Sequence, residues 1–330
     1  MYCLQRSAWL GLMVMAMTAL LPWSARSQSY PSKPVTIIHP YPPGGSTDPE
    51  IRVYAQKLQE NLGIPFLVEA RPGAGTTIGT ALVAKAAPDG YTLLSMGSSY
   101  TIAPLVYPKL SYDAEKDIAP LSLMSRRSSL IVVHPSLPVR TIAEFATHAK
   151  ANSGKLNAGT SGAGGVTHLS IEWLLHGTGT KKDVAVVTYK GGGPMFVDLV
   201  AGRTHMALGS VLATAPQLKA GKLRAIASSG ITRNKAYPDL PTVAEAAIPG
   251  YDYAFWMGVG APGATPPAII NKLSIELVKV ARDPAVAQKL SEEGSMDTLG
   301  TTPEQFRKHI SAEIATWRKV VADTNFKLEE

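Results

Sequence analysis

The residues of this chain that could do chemistry gather in four loops rich in glycine and hydroxyl groups. The first is Pro40-Tyr41-Pro42-Pro43-Gly44-Gly45-Ser46-Thr47-Asp48. Its prolines stiffen the approach, and its glycines let the backbone come close to a bound group. It opens a helix, and hydroxyls beside the free N–H groups of a helix N-terminus favour an anion. The same residues would also cap a helix without binding anything. The second loop, Arg71-Pro72-Gly73-Ala74-Gly75-Thr76-Thr77-Ile78-Gly79, resembles a dinucleotide fingerprint. Its spacing is G-x-G-x-x-x-G, one residue too long, and the dinucleotide reading fails. The third, Gly159 to His168, lacks the lysine of a phosphate-binding P-loop. It is not G-x-S-x-G either, because Ala163 stands at the last glycine. The fourth, Thr188 to Pro194, offers a phenol at Tyr189, an ammonium at Lys190 and close backbone at Gly191.

Catalytic readings are thin. The seven histidines include no H-x-x-x-H pair, and the one cysteine is Cys3. Cys3 lies in the expected signal segment, so the mature chain keeps none and offers neither a thiolate zinc site nor a cysteine nucleophile. Ser161 and His168 could share one loop and helix start, but no third partner for a hydrolase can be named. His168 either meets a ligand, positions the loop or is structural. Trp256 either lines a cleft or fills a core. The chain is expected not to be an enzyme and to need no cofactor or metal.

These loops are carried by alternating strands and helices. Val35–His39, Phe66–Glu69 and Tyr91–Leu94 read as strands. Between them lie a helix with Asp48 as candidate N-cap and Pro49 next, stopped by Gly63, and a helix through Ile78, Leu82 and Val83. Two apolar runs, Ile118–Met124 and Leu130–His134, are interrupted by Ser125-Arg126-Arg127-Ser128, read as a crossover into a second domain. That domain opens with Thr141-Ile142-Ala143-Glu144, a capping box. It continues with strands at Leu156–Gly159, Val184–Thr188 and His205–Leu208, and helices through Leu169–Leu174 and Met195–Val200. Leu223–Ala227 reads as the return crossing. Capping boxes at Thr242–Glu245 and Thr302–Gln305, a strand at Tyr253–Val259, a stripe from Ile269 to Val280 and a last helix burying Phe306 to Val321 complete the pattern. The expected fold is α/β, two lobes with mixed or parallel sheets joined by two crossing segments. Ligands of open α/β sheets sit outside the carboxyl ends of the strands, here a cleft between lobes that can hinge.

Residues 1–27 read as an export signal. Arg6 precedes an uncharged run from Ala8 to Leu21, and Ala25-Arg26-Ser27 offers small residues for cleavage. The expected division is 1–27 signal, 28–127 first domain, 128–228 second domain and 229–330 return to the first. Without the signal, Lys plus Arg falls from 32 to 30 while Asp plus Glu stays at 25. The net charge then falls from +7 to +5, and no cysteine remains. Hydrophobic residues make up 45% and charged ones 17%, which excludes a disordered chain. Basic residues are dispersed, with no nucleic-acid tract.

The sequence resembles the solute-binding proteins of the tripartite tricarboxylate transporter family, also called the Bug family. The resemblance is carried by Pro42–Asp48 with Arg52, Arg71–Gly75 with Ile78-Gly79, Ala87–Leu94, Tyr189-Lys190-Gly191, Ala220–Ala225 and Pro241–Glu245. It implies a periplasmic Venus-flytrap protein that captures a small organic carboxylate and delivers it to membrane permease subunits. Sensing for a signalling receptor is the alternative, and a secreted serine hydrolase a third. The protein is expected to be a monomer with no nucleic-acid partner. The implied ligand contacts are Tyr41, Gly44, Gly45, Ser46, Thr47, Asp48, Gly75, Thr76, Thr77 and Ser98 on the first domain. Ser161, Thr167, His168, Tyr189, Lys190, Gly191 and Ser210 would meet the far end. Three departures stand out. Gly75-Thr76-Thr77 replaces the usual Gly-Gly-Asn, Arg203-Thr204-His205 replaces Gln-Val-Asp, and Gly209-Ser210 replaces Asp-Asn. Losing that acidic side chain suits a ligand without an ammonium group, or a bulkier one.

Overall fold

A computed structural model describes residues 30–43, 47–107, 109–292 and 296–327. The expected signal, 1–27, lies outside them, as do Gly44, Gly45 and Ser46 of the first loop. Lys33–Glu330 holds together as one unit.

Three strands open this unit: β1 (Val35–His39), β2 (Phe66–Ala70) and β3 (Thr92–Gly97), parallel in the order β2-β1-β3. Between them lie α1 (Asp48–Leu62) and α2 (Thr77–Ala84). Helix α1 buries Ile51, Tyr54, Ala55 and Leu58 on one face, and Gly63 ends it in the left-handed conformation, φ 66°. Its N-cap is Thr47, one residue before the expected Asp48. Helix α2 runs through Ile78, Leu82 and Val83 as expected, although Ile78 and Leu82 are 55% and 41% exposed and only Val83 of the three is buried.

The interruption at Ser125–Ser128 is not a break. Ile118–Val133 is one strand, β4, of 16 residues. Up to Ser128 it pairs with β9 (Ala254–Pro262); from Ser129 it pairs with β7 (Met206–Ser210) and β8 (Arg224–Ser228). Both arginines stay in register because each finds a carboxylate. Arg126 Nη2 donates to both oxygens of Asp252 at 2.6 Å, and Arg127 Nη1 donates to Glu50 at 2.9 Å. The second sheet half is completed by parallel β5 (Leu156–Thr160) and β6 (Val184–Thr188), in the order β4-β7-β5-β6.

The return crossing is corrected. Of Leu223–Ala227, all but Leu223 falls in β8, which stays in the second half, paired with Leu130–Val133. The chain goes back after it, where Tyr253 N–H donates to Ser229 O, and β9 then pairs with β3 and β4.

Each half has its own apolar core. Ile38, Leu94, Met96, Trp256, Phe306 and Ile310 belong to the first, and Ile131, Phe145, Leu169, Leu174 and Tyr251 to the second. Helix α11 (Pro303–Thr324) enters both. Phe306, Ile310 and Ile314 sit in the first core, Trp317 and Val320 in the second. Its start is the expected capping box, with Thr302 and Gln305 satisfying each other's N–H groups. Halfway along, Glu313 accepts hydrogen bonds from Thr101 (2.7 Å) and Trp256 Nε1 (2.6 Å). Burial pushes its pKa up to about 7. Trp256 is therefore core, not cleft.

Candidate functional site

The first-lobe loops are held from beneath. Past β1, Tyr41 packs its ring near His39 and against the edge of Phe255, centroids 5.2 and 6.5 Å apart. Burial raises the pKa of its phenol above the ordinary value. Thr47 does not cap α1 with its side chain. Its hydroxyl instead meets His39 Nε2 at 3.1 Å, while His39 Nδ1 meets Ser95 Oγ at 3.1 Å. Burial lowers the His39 pKa to about 4, so the ring is neutral at pH 7 and one nitrogen donates while the other accepts. Asp48 pairs with Arg52, whose Nε and Nη2 both lie 3.1 Å from Oδ1. Its carboxylate complements the helix dipole, and an anion gains nothing from approaching it.

The second loop is backbone under strain. Gly73, Ala74, Gly75 and Thr76 all have positive φ, at 134°, 43°, 60° and 85°. Two of the four are not glycine, and such conformations persist only where the surroundings impose them, often at ligand clamps. Tyr107 hydroxyl fills the space a Cβ on Gly75 would need. The Thr77 hydroxyl donates to Ala74 O at 2.9 Å, and Thr76 is buried. Ser98 is fully buried: its Oγ accepts from Trp256 N–H at 3.1 Å and donates to Ala254 O at 3.4 Å. It clamps β9 rather than facing a ligand.

The second lobe offers a cavity of about 510 Å³. Of the expected contacts, Ser161, Thr167 and Ser210 line it. Three helices begin at its wall: α5 (Val166–Gly177), α6 (Gly192–Val200) and α7 (Val211–Lys219). Their first N–H groups have no partner within the helix, which makes the wall attractive to an anion. Gly191 stands just outside, φ 109°, and its N–H holds Ser161 O at 3.1 Å. A small neighbouring cavity is lined by Gly75 together with Ala163, Gly164 and Gly165, so the second and third loops meet there.

The other expected contacts lie elsewhere. Tyr189 hydroxyl donates to Asp198 at 2.8 Å, and Lys190 is exposed. His168 lines a different cavity with Glu172 and Lys181. Its Nδ1 accepts from Gly164 N–H at 3.2 Å and its ring meets the edge of Phe326. Ser161 Oγ lies 3.0 Å from Thr167 Oγ1, while His168 Nδ1 accepts from Gly164 N–H and its Nε2 lies 3.8 Å from Glu172. Among the described residues no cluster of three acidic, histidine or cysteine side chains could hold a metal.

Sequence reasoning missed much of the rest of the wall, notably Arg127 and Ser129 from β4, Phe255 from β9, Tyr253 just before it, and Phe196 from α6. Arg127 is 9% exposed, with its guanidinium 4.4 Å over the Phe255 ring and its Nη1 on Glu50. Glu50, on α1, is 1% exposed and also accepts from Ser125 and Tyr54. Burial raises its pKa while Arg127 opposes the shift. Two charged residues inside an otherwise apolar run were the available signal.

The model of the tripartite tricarboxylate transporter family receptor matches residues 51–326. The chain belongs to that family. This receptor is 34% identical over 322 residues to Protein BugT of Bordetella pertussis, covering 97% of both chains. Among solved structures it is similar to R. palustris Rpa4515 with adipate, with TM-score 0.79 and 34% identity over 90% of this chain and 98% of that one. It is also similar to MatC (Rpa3494) from Rhodopseudomonas palustris with bound malate, with TM-score 0.75 and 30% identity over 88% and 100%. The resemblance to the Bug family and the two-lobed α/β periplasmic-binding-protein fold are both confirmed. Among the described residues, no helix of the receptor is long and apolar enough to cross a membrane.

Proposed function

We propose that the receptor captures a small organic carboxylate between its first-lobe loops and the second-lobe cavity, and delivers it to the membrane permease subunits of a tripartite transporter. The observation that carries this reading is the convergence of three helix N-termini on one cavity beside a strained, glycine-rich loop. Adipate and malate in the similar structures agree with it. The lobes divide near residues 127 and 228, in line with the change of β4 partners after Ser128. The leading 1–27 segment acts as a cleaved export signal, and the mature chain works as a periplasmic monomer without cofactor. The carboxylate lacks an ammonium group, since the cavity wall bears Gly209-Ser210 and no acidic side chain among the residues named for it.

Thermal denaturation with mono-, di- and tricarboxylates tests this. A true ligand at 100 times its Kd adds about 2.7 kcal/mol to apparent stability. A melting curve unmoved by every carboxylate, or moved by amino acids alone, overturns the reading.

A further inference from the structure

The second-lobe cavity says more about the ligand than that it is an anion. Three of its hydroxyls already hold partners within the protein. Ser161 and Thr167 bond to each other, and Ser210 caps α7 by accepting from Ala213 N–H. These few hydroxyls, partly used within the protein, leave a hydroxyl-rich ligand few partners, and groups left unpaired count against it. The surface that remains is apolar. Phe196 and Phe255 are partly exposed on opposite elements, with Leu208 and Met195 buried behind. The charge of Arg127 is likewise already paired. Its guanidinium lies 4.4 Å over the Phe255 ring and pairs with Glu50, so it does not call for a second anionic group.

We propose that the ligand is an aromatic carboxylate, its ring lying against Phe255 and Phe196 while its carboxylate meets the helix ends and the first-lobe loops. This rests on the carboxylate reading above. Aromatic rings prefer offset or edge contact with other rings and gain from it beyond the area they bury. A volume of about 510 Å³ lies within the range of pockets for ring-bearing ligands, and a short hydroxy acid would leave the apolar wall uncovered.

Calorimetry on the mature chain with benzoate, phenylacetate, adipate, malate and citrate tests the proposal. The expected result is an affinity for at least one aromatic acid about tenfold or more above that for the other three. Phe255→Leu and Phe196→Leu keep an apolar side chain but remove a ring, and each should weaken the aromatic acid by about fivefold. Melting curves of both variants verify that they fold. If adipate, malate or citrate binds as tightly as the aromatic acids, or if both ring variants leave the aromatic affinity unchanged, this proposal is overturned and the carboxylate reading stands. If none of the five binds, both fall.

Discussion

The two sides of the candidate site are built from different materials. The first-lobe side is backbone: four successive residues at positive φ, a buried imidazole tying Thr47 to Ser95, and a phenol wedged beside them. The second-lobe side is side chain: aromatic rings, helix ends and one buried guanidinium. Backbone amides bind what all carboxylates share. Rings and aliphatic walls bind what differs between them. On the proposed reading both sides offer N–H groups to the carboxylate, and the second lobe alone adds the rings that tell one carboxylate from another.

The largest effect should come from the charge at the junction. Arg127→Met leaves Glu50 buried without its cation, which costs about 3–5 kcal/mol. Denaturant unfolding should register that loss, and adding Glu50→Gln should recover most of it. An undiminished midpoint in the single variant would mean the pair is not what holds the second-lobe wall to α1.

Next is the imidazole under the first-lobe loops. Its folded pKa, about 4, lies below the ordinary 6.5, so the folded state binds fewer protons between these values. Its contribution is therefore complete above pH 6.5 and is lost as pH falls toward 4, on the order of 2 kcal/mol. His309, also lowered to about 4, acts in the same direction, and Glu313, raised to about 7, acts against it. Comparison with His39→Asn isolates the first-lobe share, and the variant should show a shallower loss on acidification. Equal slopes would remove His39 from the account.

Gly75→Ala should cost about 1–2 kcal/mol. The new methyl would sit 2.5 Å from the Tyr107 hydroxyl at a φ of 60°. Its melting temperature should fall and its carboxylate affinity with it. The smallest change, Thr47→Val, removes one hydrogen bond worth about 1 kcal/mol. It should weaken every carboxylate by a similar factor, about fivefold, without changing their order. A change in that order would break the division of labour between the lobes.

Much of this was legible in the sequence. The strands β1, β2, β5 and β6 and the capped starts of α11 and of the short helix Val243–Ala246 follow from local signals that survive folding. Where local signals conflict, reading failed. Helices Ser99–Val106 and α7 carry Pro104 and Pro216 inside them, which hides their periodicity. At Thr141 the expected box is only half formed, because Glu144 reaches back to Arg140 N–H instead. The site failed for another reason. Arg127 interrupts an apolar run and reads as a break, yet its partner Glu50 lies 77 residues earlier, a pairing no local pattern contains. His168 takes the loop-positioning alternative, its Nδ1 accepting from Gly164 N–H while its Nε2 lies 3.8 Å from Glu172, one turn on.

Helix α11 supplies Phe306 and Ile310 to one core and Trp317 and Val320 to the other, with Trp317 edge-on to Trp173 at 5.9 Å. Neither core can melt without tearing away half of the same helix. The two lobes should therefore lose structure in one cooperative transition, the calorimetric enthalpy matching the van't Hoff value, and a cut near Glu313 should split that single event into two.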